Sequence, residues 1–316
     1  MVKITDQYGR SFKTLRVSLL NRCNLGCVYC RSGEEMERVQ VREKAISADE
    51  LLQIIAKLHG ALQFSTIRLT GGEPLLYTNL IEVIEGIKAL GISDIKLTTN
   101  GFLLEKMASQ MKQAGMKSIN VSLDAMDEDV FFLVSKRNNV SRILNGIEAA
   151  IKAGLKIKIN AVLMKGINES QLLPLLEYAF LKNIPIRFLE VMAMGHLHGH
   201  SQKYLFTQHE ILEVISTRYQ FFPLDRNASS TANYWQTDGG SVFGIIANES
   251  EPFCHDCNRL RLDSQGNIYG CLSSNQPVSL VGINEGELNK KLQEALLQKQ
   301  PLKFTGSELS MLDIGG

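Results

Sequence analysis

The chain has 316 residues, 44% hydrophobic and 21% charged, which is enough apolar sequence to bury a full-sized core. Its 34 lysines and arginines nearly balance its 33 aspartates and glutamates, and the net charge is +1. That excludes any general electrostatic case for nucleic acid, a membrane surface or an acidic partner, so anion binding falls to a few placed side chains.

The start, Met1-Val2-Lys3-Ile4-Thr5-Asp6, has no apolar signal core. No uninterrupted apolar run approaches a bilayer span, so a cytoplasmic protein is expected. In chain order, β-leaning runs fall at 15–20, 66–70, 95–99, 118–124, 157–164 and 186–192. Between them, 47–62, 80–90, 104–114, 140–153 and 169–182 carry apolar residues at three- and four-residue spacing. Gly91, Gly115 and Gly154 follow three of these segments as C-capping glycines do. Repeated strand–helix units imply parallel strands with right-handed crossovers. The expected fold is α/β, a partial (open) β/α barrel of about six βα units, short of the eight that close a barrel.

Polar and glycine residues follow almost every strand: Asn21-Arg22-Cys23, Gly71-Gly72-Glu73-Pro74, Thr99-Asn100-Gly101 and Asp124. In parallel α/β folds that end of the sheet builds the site. Asp124 and Glu190 are possible acid–base groups, with no role assigned. His196-Leu197-His198-Gly199-His200 puts three imidazoles on alternate residues, a metal-binding spacing. Its glycine and serine neighbours favour a flexible surface loop instead. Beyond about residue 200 the periodicity weakens, and 228–232 and Gly239-Gly240 read as loops. A division into a main unit, 1–200, and a smaller C-terminal unit, 201–316, is expected.

The six cysteines form two triplets, Cys23, Cys27, Cys30 and Cys254, Cys257, Cys271. In a reducing compartment such groups read as metal sites rather than disulfides. Three thiolates on a [4Fe–4S] cluster leave one iron without a protein ligand, and an open metal position is where outside chemistry enters. The alternative is zinc, which wants four ligands in a structural site. The nearest histidine to the first triplet, His59, belongs to an expected helix; His255 lies between two cysteines of the second. Arg259 and Arg261 follow at a two-residue spacing that points both the same way from a strand. They suit phosphate oxygens, or they balance thiolate charge.

Cys23-x3-Cys27-x2-Cys30, with Gly71-Gly72-Glu73-Pro74 after the second strand, resembles the signature of the radical S-adenosylmethionine (SAM) superfamily. The whole chain resembles the GTP 3′,8-cyclase family of molybdenum-cofactor biosynthesis. The match runs from Tyr8-Gly9-Arg10 and Leu15-Arg16-Val17-Ser18, through Cys257-Asn258-Arg259-Leu260-Arg261-Leu262, to Ile314-Gly315-Gly316. The resemblance implies a lyase with two [4Fe–4S] clusters and SAM. In the family, a 5′-deoxyadenosyl radical takes the ribose C3′ hydrogen of GTP, and the C3′ radical attacks C8 to give 3′,8-cyclo-7,8-dihydro-GTP.

The same resemblance implies residue roles. Cys23, Cys27 and Cys30 would hold the SAM-binding cluster, and Cys254, Cys257 and Cys271 the substrate-binding one. Tyr29, Gly72, Ser122 and Met192 stand at SAM positions; Arg16, Arg68, Thr99, Lys158, Arg259 and Arg261 stand at GTP positions. Arg16, Arg259 and Arg261 are the expected catalytic residues, and Gly315 and Gly316 form a tail needed for activity. Arg16 and Lys158 lie in apolar strands and, if buried, need an anionic partner; otherwise they face solvent. Thr99 and Ser122 could simply satisfy backbone groups, and Met192 could be core filling. Implied partners are GTP, a flavodoxin- or ferredoxin-like electron donor, a downstream cyclic pyranopterin monophosphate synthase and a second copy of the chain, with no nucleic acid and no membrane.

Three departures mark the sequence. Arg31-Ser32 replaces Met-Pro or Leu-Pro, Thr66 replaces a common basic residue, and Leu76-Tyr77 stands where the family tends to carry Leu-Arg after Gly-Gly-Glu-Pro. Two other readings compete with the cyclase. One is a related radical SAM enzyme acting on a peptide or other small molecule; the other is a non-catalytic zinc or iron–sulfur protein.

Overall fold

The computed structural model describes residues 4–31 and 45–315; Ser32 and Gly316 lie outside them. Six strands, β1 (Thr14–Ser18), β2 (Thr66–Thr70), β3 (Asp94–Thr99), β4 (Ser118–Ser122), β5 (Lys156–Leu163) and β6 (Ile186–Glu190), pair in parallel in chain order. Helices α1 (Ala48–Leu62), α2 (Leu80–Ala89), α3 (Leu104–Ala114), α4 (Glu128–Ser135), α5 (Val140–Lys152) and α6 (Leu172–Leu181) supply the crossovers. Local sequence sets their ends. Ser47 and Glu50 form a capping box at the start of α1. Gly115, at φ 117°, stops α3 in a conformation that costs other residues energy.

The C-terminal half extends this sheet at both edges. Two strands of the later sequence, β7 (Phe221–Leu224) and β8 (Asn233–Thr237), end one edge antiparallel, behind β9 (Val242–Ile246), which is parallel to β6. At the other edge β10 (Arg259–Leu262) runs parallel to β1 and is followed antiparallel by β11 (Asn267–Tyr269) and β12 (Val278–Ser279). The expected open barrel of six units is therefore widened to eight parallel strands in one 12-stranded sheet that does not close. Helices α7 (Gln208–Ser216), α8 (Glu285–Leu296) and the short α9 (Met311–Ile314) complete the described elements.

Strand alternation divides the two faces. Leu15, Val17, Ile67, Leu69, Ile95, Leu97, Ile119 and Val121 are fully buried under the helices and make the core. The opposite face carries Arg16, Arg68, Lys96, Asn120, Lys158 and Asn160, and these line a cavity. A closed β/α barrel fills that space with branched aliphatics; here polar side chains leave it open. No helix among the described residues is long and apolar enough to cross a membrane.

The His196–His200 segment lies at the surface, with His198, Gly199 and His200 exposed, but its first part is anchored: Leu197 is buried and His196 Nε2 lies 2.8 Å from the carbonyl of Val28 in the first cysteine loop. The apolar Leu197 between the histidines was the signal for burial.

Candidate active site

The cavity has a volume of about 610 Å³, within the usual range of small-molecule sites. All six cysteines and all ten SAM and GTP positions expected from the sequence line it. Among the described residues eight cationic side chains also do so, against the single carboxylate of Asp124. Register arranges four of them in a row. Arg261, Arg16, Arg68 and Lys96 are neighbours across β10, β1, β2 and β3.

Like charges in such a row repel, and burial adds to the cost. Burial, then Arg261, Arg68, Arg259 and Arg187, hold the Arg16 guanidinium well below its ordinary value. Burial likewise lowers Arg68 and Arg261 to about 10. Among the described residues none of the five arginines forms an ion pair, and Arg16 Nε finds no acceptor. Their contacts are neutral. Arg68 Nη1 reaches Thr98 Oγ1 at 3.4 Å, and Arg187 donates twice to Asn160 Oδ1 at 3.0 and 2.7 Å. Arg259 Nη1 donates to Ser229 O at 3.2 Å, and Arg261 Nη1 donates to Gly315 O. Lys158 Nζ sits 5.7 Å from the centre of the Tyr234 ring. The arrangement calls for an anion.

The first cysteine loop follows β1 and is braced from three sides. Gly72 N–H donates to Leu20 O at 2.7 Å and Glu73 N–H to Arg22 O at 2.9 Å. A Cβ on Gly72 would fall 2.3 Å from Arg22 O, so the glycine lets backbone lie on the cysteine loop itself. Glu73, fully buried, accepts from Thr99 Oγ1 (2.6 Å), Leu75 N–H (2.9 Å) and Asn100 N–H (2.7 Å). Burial pushes its carboxyl up to about 7 against those hydrogen bonds. Asn100 Nδ2 in turn donates to Asn24 Oδ1 at 2.8 Å and approaches Cys23 Sγ at 3.7 Å. Tyr29 donates its hydroxyl to Asp124 Oδ2 at 2.8 Å, and Asp124 Oδ1 accepts from Val162 N–H at 2.8 Å. The Thr99 hydroxyl is thus taken by Glu73; Thr98 is the threonine that shares the inner face with Arg68. Glu190 accepts from the backbone N–H groups of Gln208, Glu249 and Ser250, which makes it a brace for loops.

The second triplet enters at the opposite end of the same strand pair. Cys257 lies two residues before Arg259, which is level with Thr14, while Cys23 follows the far end of β1. At about 3.3 Å per residue β1 holds the two sets roughly 13 Å apart or more. Lys299 Nζ lies 3.5 Å from Cys257 Sγ and donates to Arg259 O. Burial alone would raise the Cys257 thiol; Arg259, Lys299 and the hydrogen bonds outweigh it and bring it down to about 6. Burial, with Cys271 and Cys257 nearby, pushes Cys254 up to about 11. Arg10 Nη1 donates to Cys254 O and Gln300 O, and Arg226 grips Asp256 at 2.8 and 2.9 Å. His255 is exposed.

Gly315, near the end of the chain, packs against Ser18 and Thr70 and meets Arg261 of the cavity wall. At φ 77°, a Cβ there would lie 2.7 Å from Thr70 Oγ1 and 2.8 Å from the Ser18 side chain. Sequence reasoning missed Lys96, Arg187, Lys299 and Arg10. The first was legible, since alternation in Asp94-Ile95-Lys96-Leu97-Thr98 puts lysine on the inner face. Lys299 carried no such signal, because it meets Cys257 only through tertiary folding.

The donor sets decide what metal group fits. Among the described residues no three cysteine, histidine or acidic side chains converge on a single ion. Each triplet is all thiol, and no histidine completes it; that suits a polynuclear cluster, which takes one thiolate per iron. Both sets fit [4Fe–4S] clusters with one iron left open.

Residues 17–179 match the Radical SAM superfamily, and residues 184–305 match Molybdenum Cofactor Synthesis C. The GTP 3′,8-cyclase of Synechocystis sp. is 36% identical over 313 residues, 99% of this chain and 95% of that protein. That of Staphylococcus haemolyticus is 38% identical over 281 residues, 87% and 82% of the two chains. In fold, the chain is similar to Streptococcus suis SuiB bound to S-adenosylmethionine, at TM-score 0.66 and 14% identity, over 91% of this chain and 68% of that one. The chain belongs to the radical SAM superfamily and, within it, to the family of the GTP 3′,8-cyclases.

Proposed function

We propose that the chain is a GTP 3′,8-cyclase, a lyase that converts GTP to 3′,8-cyclo-7,8-dihydro-GTP in the first step of molybdenum-cofactor biosynthesis. One observation carries the reading: two thiol triplets at opposite ends of the β1–β10 pair, with arginines that form no ion pair among the described residues in the cavity they share. A nucleoside triphosphate has the length and charge to join the two ends. A peptide or neutral small molecule, the competing radical SAM substrate, leaves the arginines without partners.

Cys23, Cys27 and Cys30 would hold one cluster with SAM, and Cys254, Cys257 and Cys271 the other, beside the base. Once bound, the first cluster and SAM would supply reductive cleavage of the sulfonium, the source of a 5′-deoxyadenosyl radical. The remaining work belongs to side chains. Tyr29, fixed by Asp124, stands with Gly72, Ser122 and Met192 around the SAM position. Arg16, Arg68, Lys158, Arg259 and Arg261 bind the triphosphate, and Arg16, Arg259 and Arg261 set the ribose for hydrogen abstraction. Thr99 acts through Glu73 on the loop geometry.

The same reading carries a smaller C-terminal unit, 201–316, that supplies the second cluster and the Gly315-Gly316 tail. It carries a flavodoxin- or ferredoxin-like electron donor, a cyclic pyranopterin monophosphate synthase downstream, homodimers and a cytoplasmic location. The test is anaerobic reconstitution with iron and sulfide, followed by SAM, dithionite and GTP. Appearance of 5′-deoxyadenosine and 3′,8-cyclo-GTP together, both dependent on GTP, is expected. Deoxyadenosine without the cyclised nucleotide would send the substrate search elsewhere.

A further inference from the structure

We propose that Lys96 is a phosphate-binding residue of this cavity, with Asp94 holding its ammonium in place for that task. The inference rests on a triphosphate as ligand. Lys96 is the end member of the row Arg261, Arg16, Arg68, Lys96, and it stands beside Arg68 in register. Four strands at about 4.8 Å spacing make that row roughly 14 Å long, so a triphosphate laid along it meets more than one of its cations. Its side chain is 30% exposed and lines the cavity, so a ligand can reach it.

One carboxylate links Lys96 to Thr66. Asp94 Oδ2 accepts from Thr66 Oγ1 at 2.6 Å and from Lys96 Nζ at 2.8 Å, and Thr66 faces Asp94 in register. Positions 66 and 96 are therefore diagonal neighbours across β2 and β3, about 7 Å apart, within a lysine's length. A lysine at either one can be aimed by the same Asp94. Asp94 occupies one of the three ammonium donors and leaves two for an anion. A purely structural ion pair, this exposed, contributes at most about 1 kcal/mol. It gives no reason to set a fourth cation beside Arg68, where like charges repel.

The experiment is anaerobic calorimetric titration of the reconstituted enzyme with GTP, inorganic tripolyphosphate and guanosine. Lys96→Ala should weaken GTP and tripolyphosphate by a common factor of about ten and leave guanosine unchanged. Lys96→Gln, which retains a hydrogen bond to Asp94, should behave the same, which separates lost charge from lost structure. Thr66→Lys added to Lys96→Ala should restore most of the loss. Affinities within two-fold of the parent in both single variants would overturn the proposal, as would a loss that Thr66→Lys fails to restore. Should the parent bind tripolyphosphate as tightly as GTP, the nucleotide reading fails, while the tripolyphosphate series still decides Lys96.

Discussion

Arg261 Nη1 donates to the carbonyl oxygen of Gly315, so the penultimate residue of the chain occupies a cation that faces the cavity. Gly315 fits only because it lacks a Cβ, with Ser18 and Thr70 on either side.

Removal of Gly315 and Gly316 should therefore cut turnover by at least about ten-fold, through loss of one hydrogen bond to a charged group and the placement it gives Arg261. Iron and sulfide content should be unchanged, because the neighbours of Gly315 are Thr70, Ser18 and Arg261 rather than the cysteines. Full turnover in the truncated protein would refute this role.

The unpaired cations predict a large stabilisation by polyanions. A ligand that binds only the folded state, at one hundred times its Kd, adds about 2.7 kcal/mol. For a chain of this size that is a rise in Tm of roughly 3–5 °C. Differential scanning fluorimetry with tripolyphosphate should show it, and guanosine should not. Equal melting temperatures would mean that the arginine row is already neutralised.

The two cysteine triplets should separate genetically. Cys23→Ser should abolish reductive cleavage of SAM. Cys271→Ser should retain SAM cleavage and lose cyclisation, read as deoxyadenosine without cyclic nucleotide. Cyclisation surviving in the second variant would remove the C-terminal set from the mechanism.

Glu73 predicts a pH dependence of stability. Its folded value, about 7, lies above that of an unfolded glutamate, so the folded state binds the proton more tightly. Its contribution is then fully present below about pH 4.3 and declines as pH rises toward 7, by up to about 3 kcal/mol. Glu73→Gln cannot titrate and should lack that slope. It should also be less stable at every pH, because its amide NH2 would meet the N–H of Asn100 or Leu75. Parallel slopes for parent and variant in urea unfolding would assign the titration elsewhere.

The barrel was legible because its strands are buried on the helix side, and the alternation of Leu15, Val17, Ile67 and Leu69 with polar residues is strong. Its full width was not. The strands β9 and β10 are four or five residues long and reach the parallel edges only through long connections, which no local pattern encodes. The cysteines and the arginines of β1, β2 and β10 were found by motif. Lys96 escaped because it stands where the family pattern does not point, although its alternation was visible. Lys299 and Arg10 escaped for another reason: they meet the second cysteine loop from 42 and 244 residues away.

The inward row has a consequence for the outside of the molecule. Among the described residues eight cations and one carboxylate line the cavity of a chain whose total charge is only +1. The remainder must carry a deficit of six. A chain that looks neutral by composition thus keeps its surplus of positive charge at the cavity, where only ligands small enough to enter can meet it.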